Sequence, residues 1–91
     1  MTEFEWDPEK AIANKTDHRV TFEEARTIFG DPFELTMPDS DYSEGEQRFL
    51  SIGQSELGRL FVVSYAERKP NTIRIIISAR RASQAENEPR H

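Results

Sequence analysis

The sequence predicts an α+β domain: a short N-terminal strand, two helices, an antiparallel sheet of about four strands and a short C-terminal helix. Three observations carry this expectation. Two helix-start signals, Asp7-Pro8 and Thr21-Phe22-Glu23-Glu24, lie in the first part of the chain. From Phe33 onward the apolar residues recur in short alternating or β-branched runs. The turns between these runs are brief, and short connections favour antiparallel neighbours.

Taken in order, Phe4-Glu5-Trp6 suits a short edge strand with both aromatics toward the core. Asp7 is a good N-cap and Pro8 a good first helical residue, because proline lacks only an N–H that is unpaired there anyway. A helix from Glu9 to Asp17 follows, with Ala11, Ile12 and the Lys15 stem as a thin apolar stripe and Asn14, Asp17 and His18 near its end. Thr21 and Glu24 have the spacing of a capping box; Phe22, Ala25, Ile28 and Phe29 continue at helical spacing, and Gly30 with Pro32 ends the second helix. Phe33 to Met37 alternates as a strand that Pro38 stops, and Asp39 to Gly45 is an acidic turn region. The meander then runs through Gln47–Gly53, Arg59–Glu67 and Ile73–Ala79, with turns at Gln54–Gly58 and Arg68–Thr72. Arg81 to Glu88 is expected to form the last helix, before Pro89.

The last strand is the most informative stretch. Strict alternation puts Ile73, Ile75 and Ile77 on a core face, beneath the helices. It puts Arg74, Ile76, Ser78 and Arg80 on the other face, where two guanidiniums flanking a hydroxyl would cradle a phosphate.

With 91 residues the chain makes one domain, residues 1–91, around a single modest core. Hydrophobic residues make up only 35% of it, but their clustering argues against general disorder. Without cysteine, disulfides, thiolate metal sites and cysteine nucleophiles are excluded. No cofactor or metal is implied, because the chain lacks a phosphate-binding glycine loop and a nucleophile elbow and carries only two histidines. The acidic N-terminus is unlike a signal peptide and no apolar run matches a membrane span, so a cytoplasmic protein is expected.

The net charge of −5 hides an asymmetry. Residues 1–47 carry 13 Asp/Glu against 4 Lys/Arg, and residues 48–91 carry 4 against 8. Such a chain can present a cationic site despite its total charge, although ion pairs between the halves would cancel part of it.

An ordered set of segments then resembles one family. Phe4-Glu5-Trp6-Asp7, Lys10, Asn14, His18 and Val20 to Ala25 come first. Asp31-Pro32, Gly45 to Arg48, Gly58-Arg59, Tyr65 to Arg68 and Arg74 to Arg80 follow. In this order they are similar to the BrnT toxins of type II toxin–antitoxin systems, over nearly the whole chain. The resemblance implies a RelE-like fold, a ribonuclease (mRNA interferase) activity that stops translation, and neutralisation by a BrnA-type antitoxin. That antitoxin carries a ribbon-helix-helix domain, through which alone the toxin reaches operator DNA. Two departures stand out: the family commonly reads Lys-His-Gly where this chain has Asp17-His18-Arg19. Loss of that lysine would fit a catalytically weakened homologue that acts as an antitoxin-binding co-repressor.

Metal-independent RNA cleavage needs a base for the ribose 2′-hydroxyl, an acid for the departing 5′-oxygen and cations for the charged phosphorane. The resemblance makes Arg68, Arg74 and Arg80 the expected catalytic cations; each is otherwise a surface arginine or a salt-bridge partner. His18 is the expected acid or base, since imidazole titrates near neutrality; the alternative is a histidine at a helix C-terminus. Arg59, Tyr65 and Ser78 are expected to bind substrate, Tyr65 by stacking or hydrogen bonding, unless it is an ordinary half-buried strand aromatic. Glu46 and Glu67 are possible bases. Phe4 and Trp6 belong to the core or to a partner interface.

Overall fold

The computed structural model describes residues 3–39, 47–68 and 73–82. The elements are β1 (Glu3–Glu5), α1 (Pro8–His18), α2 (Phe22–Ala25), a 3₁₀ segment (Arg26–Gly30), β2 (Leu35–Pro38), β3 (Gln47–Gln54), β4 (Leu60–Arg68) and β5 (Ile73–Arg81). They form one five-stranded sheet in the order β1-β5-β4-β3-β2. β1 runs parallel to β5 and every other pair is antiparallel, so the sheet is mixed. The expected C-terminal helix from Arg81 is corrected at its start, because Arg81 closes β5; residues 83–88 lie outside the described residues.

The helix caps form much as the sequence implies. Asp7 accepts a hydrogen bond from the Glu9 N–H at 2.9 Å, and Pro8 opens α1. Thr21 Oγ1 accepts from the Glu24 N–H at 3.1 Å, but the reciprocal half of the expected box is missing. The Glu24 carboxylate instead turns inward to Ser55 and Arg59, in an ion pair that ties α2 to the β3–β4 turn. That arginine, with help from the Ser55 hydroxyl, holds the Glu24 carboxyl below its ordinary range despite the opposing effect of burial. Only one turn of α2 is α-helical before the 3₁₀ segment, which passes close over β3. A Cβ on Gly53 would meet the Ile28 Cβ at 3.1 Å and the Ile28 carbonyl at 3.2 Å, so glycine is needed there.

Helix α1 ends with Arg19 in the left-handed region at φ 59° and ψ 34°, its N–H bonded to the Lys15 carbonyl. A Cβ in this conformation costs about 1–2 kcal/mol, which glycine avoids. An Arg19→Gly variant is therefore expected to be more stable by roughly 0.5–1 kcal/mol, after allowing for the greater freedom of glycine when unfolded. A higher urea midpoint at unchanged slope would show it.

Val20, Phe22, Ala25 and Ile28 pack against Phe61, Val63 and Tyr65 of β4 and Ile76 and Ala79 of β5. Each large side chain buried this way contributes about 1.5–3 kcal/mol. The membership from β5 overturns the expected facing of the first part of that strand, while Ser78 and Arg80 face away from the helices as expected. Tyr65 pairs with Ile76 but Ser64 pairs with Ser78, so Ile77 is a bulge with no opposite residue on β4. A bulge shifts the alternation by one residue. Register with β4 therefore places Arg74, Ile76, Ala79 and Arg81 on the helix side, and Ile73, Ile75, Ser78 and Arg80 on the opposite face.

One buried polar residue joins α1 to this strand. β1 pairs with β5 only as far as Ile75, which leaves the edge of β5 open further along. There the Asn14 amide acts as a short substitute strand. Its Nδ2 donates to the Ala79 carbonyl at 2.8 Å and its Oδ1 accepts from the Ala79 N–H at 3.0 Å. Nδ2 also donates to the Val20 carbonyl at 2.9 Å, fixing the chain as it leaves α1.

Candidate active site

A solvent-accessible polar constellation on the helix side arises from the β4–β5 register. Glu67 and Arg74 are direct cross-strand partners, and Arg74 Nε donates to Glu67 Oε2 at 3.1 Å. The guanidinium carbon lies 5.0 Å from the centre of the Phe29 ring and 5.2 Å from that of Tyr65. Those rings belong to a wider floor. Phe29 meets Tyr65 edge-on at 5.2 Å, Phe49 stacks on Tyr65 at 5.6 Å, and Phe4 stacks on Phe29 at 5.3 Å. Five elements thus meet here: β1 brings Phe4, the 3₁₀ segment Phe29, β3 Phe49, β4 Tyr65 and Glu67, and β5 Arg74.

Arg74 and Glu67 are 26% and 21% exposed, so the pair is held yet reachable from solvent. Arg74 Nη1 and Nη2 make no hydrogen bond among the described residues, which leaves its fork available to an anion. An ion pair this accessible contributes only about 0.2–1 kcal/mol to stability. Its chemical capacity is greater: a fixed cation beside a carboxylate, above aromatic faces.

The expected site residues do not converge. Arg74 and Tyr65 meet, but the Tyr65 hydroxyl is buried and accepts from Ser51 Oγ at 3.3 Å, so its ring supports Arg74 while its oxygen faces inward. Ser78 and Arg80 share the opposite face, so the expected cradle of Arg74, Ser78 and Arg80 does not form. The bulge at Ile77 is the physical reason. Arg68 is exposed on that face too, but Arg80 pairs with Val62, six residues back along β4 from Arg68, a spacing of roughly 20 Å. Arg59 is committed to Glu24 and also lies over the Phe61 ring at 5.5 Å; the carboxylate raises its pKa further above the ordinary range. His18 is exposed at the end of α1 and makes no side-chain hydrogen bond or ion pair among the described residues. The expected placement of Arg74 and Arg80 across from His18 and Arg68 is thereby corrected.

Glu67 was the least conspicuous of these residues in the sequence, one carboxylate among 17 acidic side chains. The signal that singles it out is the hairpin: a short Arg68–Thr72 connection sets Glu67 opposite Arg74.

This small α+β domain has the fold of a ribonuclease toxin of known structure. A 1.1 Å crystal structure of the Brucella abortus ribonuclease toxin BrnT is similar, with a TM-score of 0.67 and 19% sequence identity. The alignment covers 92% of this chain and 100% of that one. The family described as "Ribonuclease toxin, BrnT, of type II toxin-antitoxin system" matches residues 6–86, and the chain belongs to this family. No curated protein matches the sequence. Among the described residues, no helix is long and apolar enough to cross a membrane.

Proposed function

We propose that this chain is an endoribonuclease toxin that cleaves RNA without a metal ion at the Arg74 end of the helix-side face. A BrnA-type ribbon-helix-helix antitoxin in the same cytoplasm neutralises it and carries the pair to operator DNA. The observation that supports the site is the guanidinium of Arg74, fixed between Glu67 and the rings of Phe29 and Tyr65 with its Nη groups unbonded among the described residues. Such a cation stabilises the extra charge of a phosphorane without having to reorganise. The half-buried rings of Phe4 and Phe49 at the same floor offer faces on which unpaired bases stack. Arg68, at the end of β4 but on the opposite face, belongs to the surrounding surface and contributes charge to RNA binding. His18, Ser78 and Arg80 belong to the surrounding surface in this reading, where they serve binding.

The co-repressor alternative rests on Asp17. That residue is exposed near the end of α1 and makes no bond to Arg74 or Glu67, so the departure leaves the proposed centre intact. The test is direct. Purified protein incubated with single-stranded RNA and excess chelator is expected to yield shortened products ending in 2′,3′-cyclic phosphate. RNA that stays full-length with and without divalent metal would overturn the reading.

A further inference from the structure

We infer that Glu67 is the general base of the cleavage, with its ion-pair partner Arg74 as the group that stabilises the phosphorane. The inference rests on the ribonuclease reading above and adds the residue that removes the proton. In RNA the attacking 2′-oxygen and the phosphorus it attacks belong to one nucleotide. A base and a phosphate-binding cation that serve this reaction must therefore stand side by side. Among the described residues Glu67 and Arg74 meet this requirement at 3.1 Å, on a face with aromatic surface for the bases.

The remaining contacts of the pair divide the labour. Glu67 Oε2 is occupied by Arg74 Nε, while Oε1 makes no hydrogen bond among the described residues and keeps its lone pairs for a hydroxyl. Arg74 uses Nε to orient the carboxylate and keeps the Nη groups for the phosphate. Two other carboxylates near the helix side are already committed. Glu24 holds Arg59 and Ser55, and Asp31 accepts the backbone N–H groups of Phe33 and Gln54. Glu3 and Glu5 pair with Ile73 and Ile75, on the opposite face.

The step balances without any added reagent. Glu67 takes the proton from the 2′-hydroxyl, the 2′-oxygen forms a bond to phosphorus, and the bond from phosphorus to the 5′-oxygen breaks. The departing 5′-oxygen takes a proton from water, and Glu67 returns its proton to solvent. The products are a 2′,3′-cyclic phosphate and a 5′-hydroxyl end.

The experiment compares wild type with Glu67→Gln and Arg74→Ala, measuring single-turnover cleavage beside RNA binding by fluorescence anisotropy. Glutamine keeps the shape and an acceptor for Arg74 but cannot take a proton, so cleavage should fall by about 10²–10⁴-fold. Binding and the thermal midpoint should stay close to wild type. A second substrate separates base from acid. With the 5′-bridging oxygen replaced by sulfur, the leaving group departs without an acid, and the Glu67→Gln defect should persist in full. Recovery on that substrate would assign Glu67 to the acid step and overturn the inference. So would Glu67→Gln cleaving near the wild-type rate while Arg74→Ala is impaired, which leaves the ribonuclease reading standing. A wild-type protein that cleaves neither substrate would overturn both.

Discussion

Replacing Arg74 by alanine is expected to slow RNA cleavage by about 10²–10³-fold, the usual cost of deleting one fixed donor to a developing oxyanion. The guanidinium is bonded to Glu67 and lies over Phe29 and Tyr65, so it meets the phosphorane already oriented. RNA binding should weaken far less, because one phosphate contact among several is lost while the transition-state charge loses its main partner. Arg74→Lys should recover little of the rate, since a lysine keeps the charge but loses both the fork and the guanidinium's contact with the rings. Arg80→Ala is the informative control: its strand face is the opposite one, and the expected change in rate is less than about tenfold. An Arg74→Ala protein that cleaves as fast as wild type would remove the assigned role. The fold should tolerate the change, because the lost ion pair is partly exposed and contributes only about 0.2–1 kcal/mol.

The largest effect on stability is expected from Asn14→Ala, at about 3 kcal/mol. The amide makes three buried hydrogen bonds, two to the backbone of Ala79 and one to the Val20 carbonyl. Each such bond contributes about 1 kcal/mol net, and a buried backbone group left without a partner costs about as much or more. Neither group of Ala79 has a strand to return to, because β1 reaches only Ile75. Against a total stability of about 5–15 kcal/mol this is a large fraction. In a domain of this size the thermal midpoint should fall by roughly 12–20 °C. Urea unfolding followed by circular dichroism measures it, and a midpoint unchanged from wild type would mean that water replaces the amide at no cost.

The two predictions differ in how far the sequence anticipates them. Arg74 stands out in an apolar strand, and its family resemblance marks it further, yet its facing was inverted by strict alternation. The error lies in one residue: nothing in Ile75-Ile76-Ile77 shows that Ile77 will be extruded as a bulge, since all three are equally suited to a strand. Asn14 is legible only as a polar residue near a helix end. Its partner Ala79 is 65 residues away, and only the packing of α1 on β5 brings them together. Glu24 is a similar case. A local capping box and a distant arginine compete for one carboxylate, and the ion pair with Arg59 wins because Glu24 is buried where α2 meets the β3–β4 turn, beside that arginine.

What the sequence determined by itself is local. Asp7 and Thr21 cap helices because their side chains satisfy N–H groups a few residues on, and the strands begin close to where the alternating runs begin. The parallel seating of β1, the facing of β5 ahead of its bulge, and the meeting of Glu67, Arg74 and four aromatic rings were decided only in three dimensions. The reason is physical. Caps and turns depend on neighbours a few residues apart, whereas a site depends on which groups the core leaves side by side at its rim.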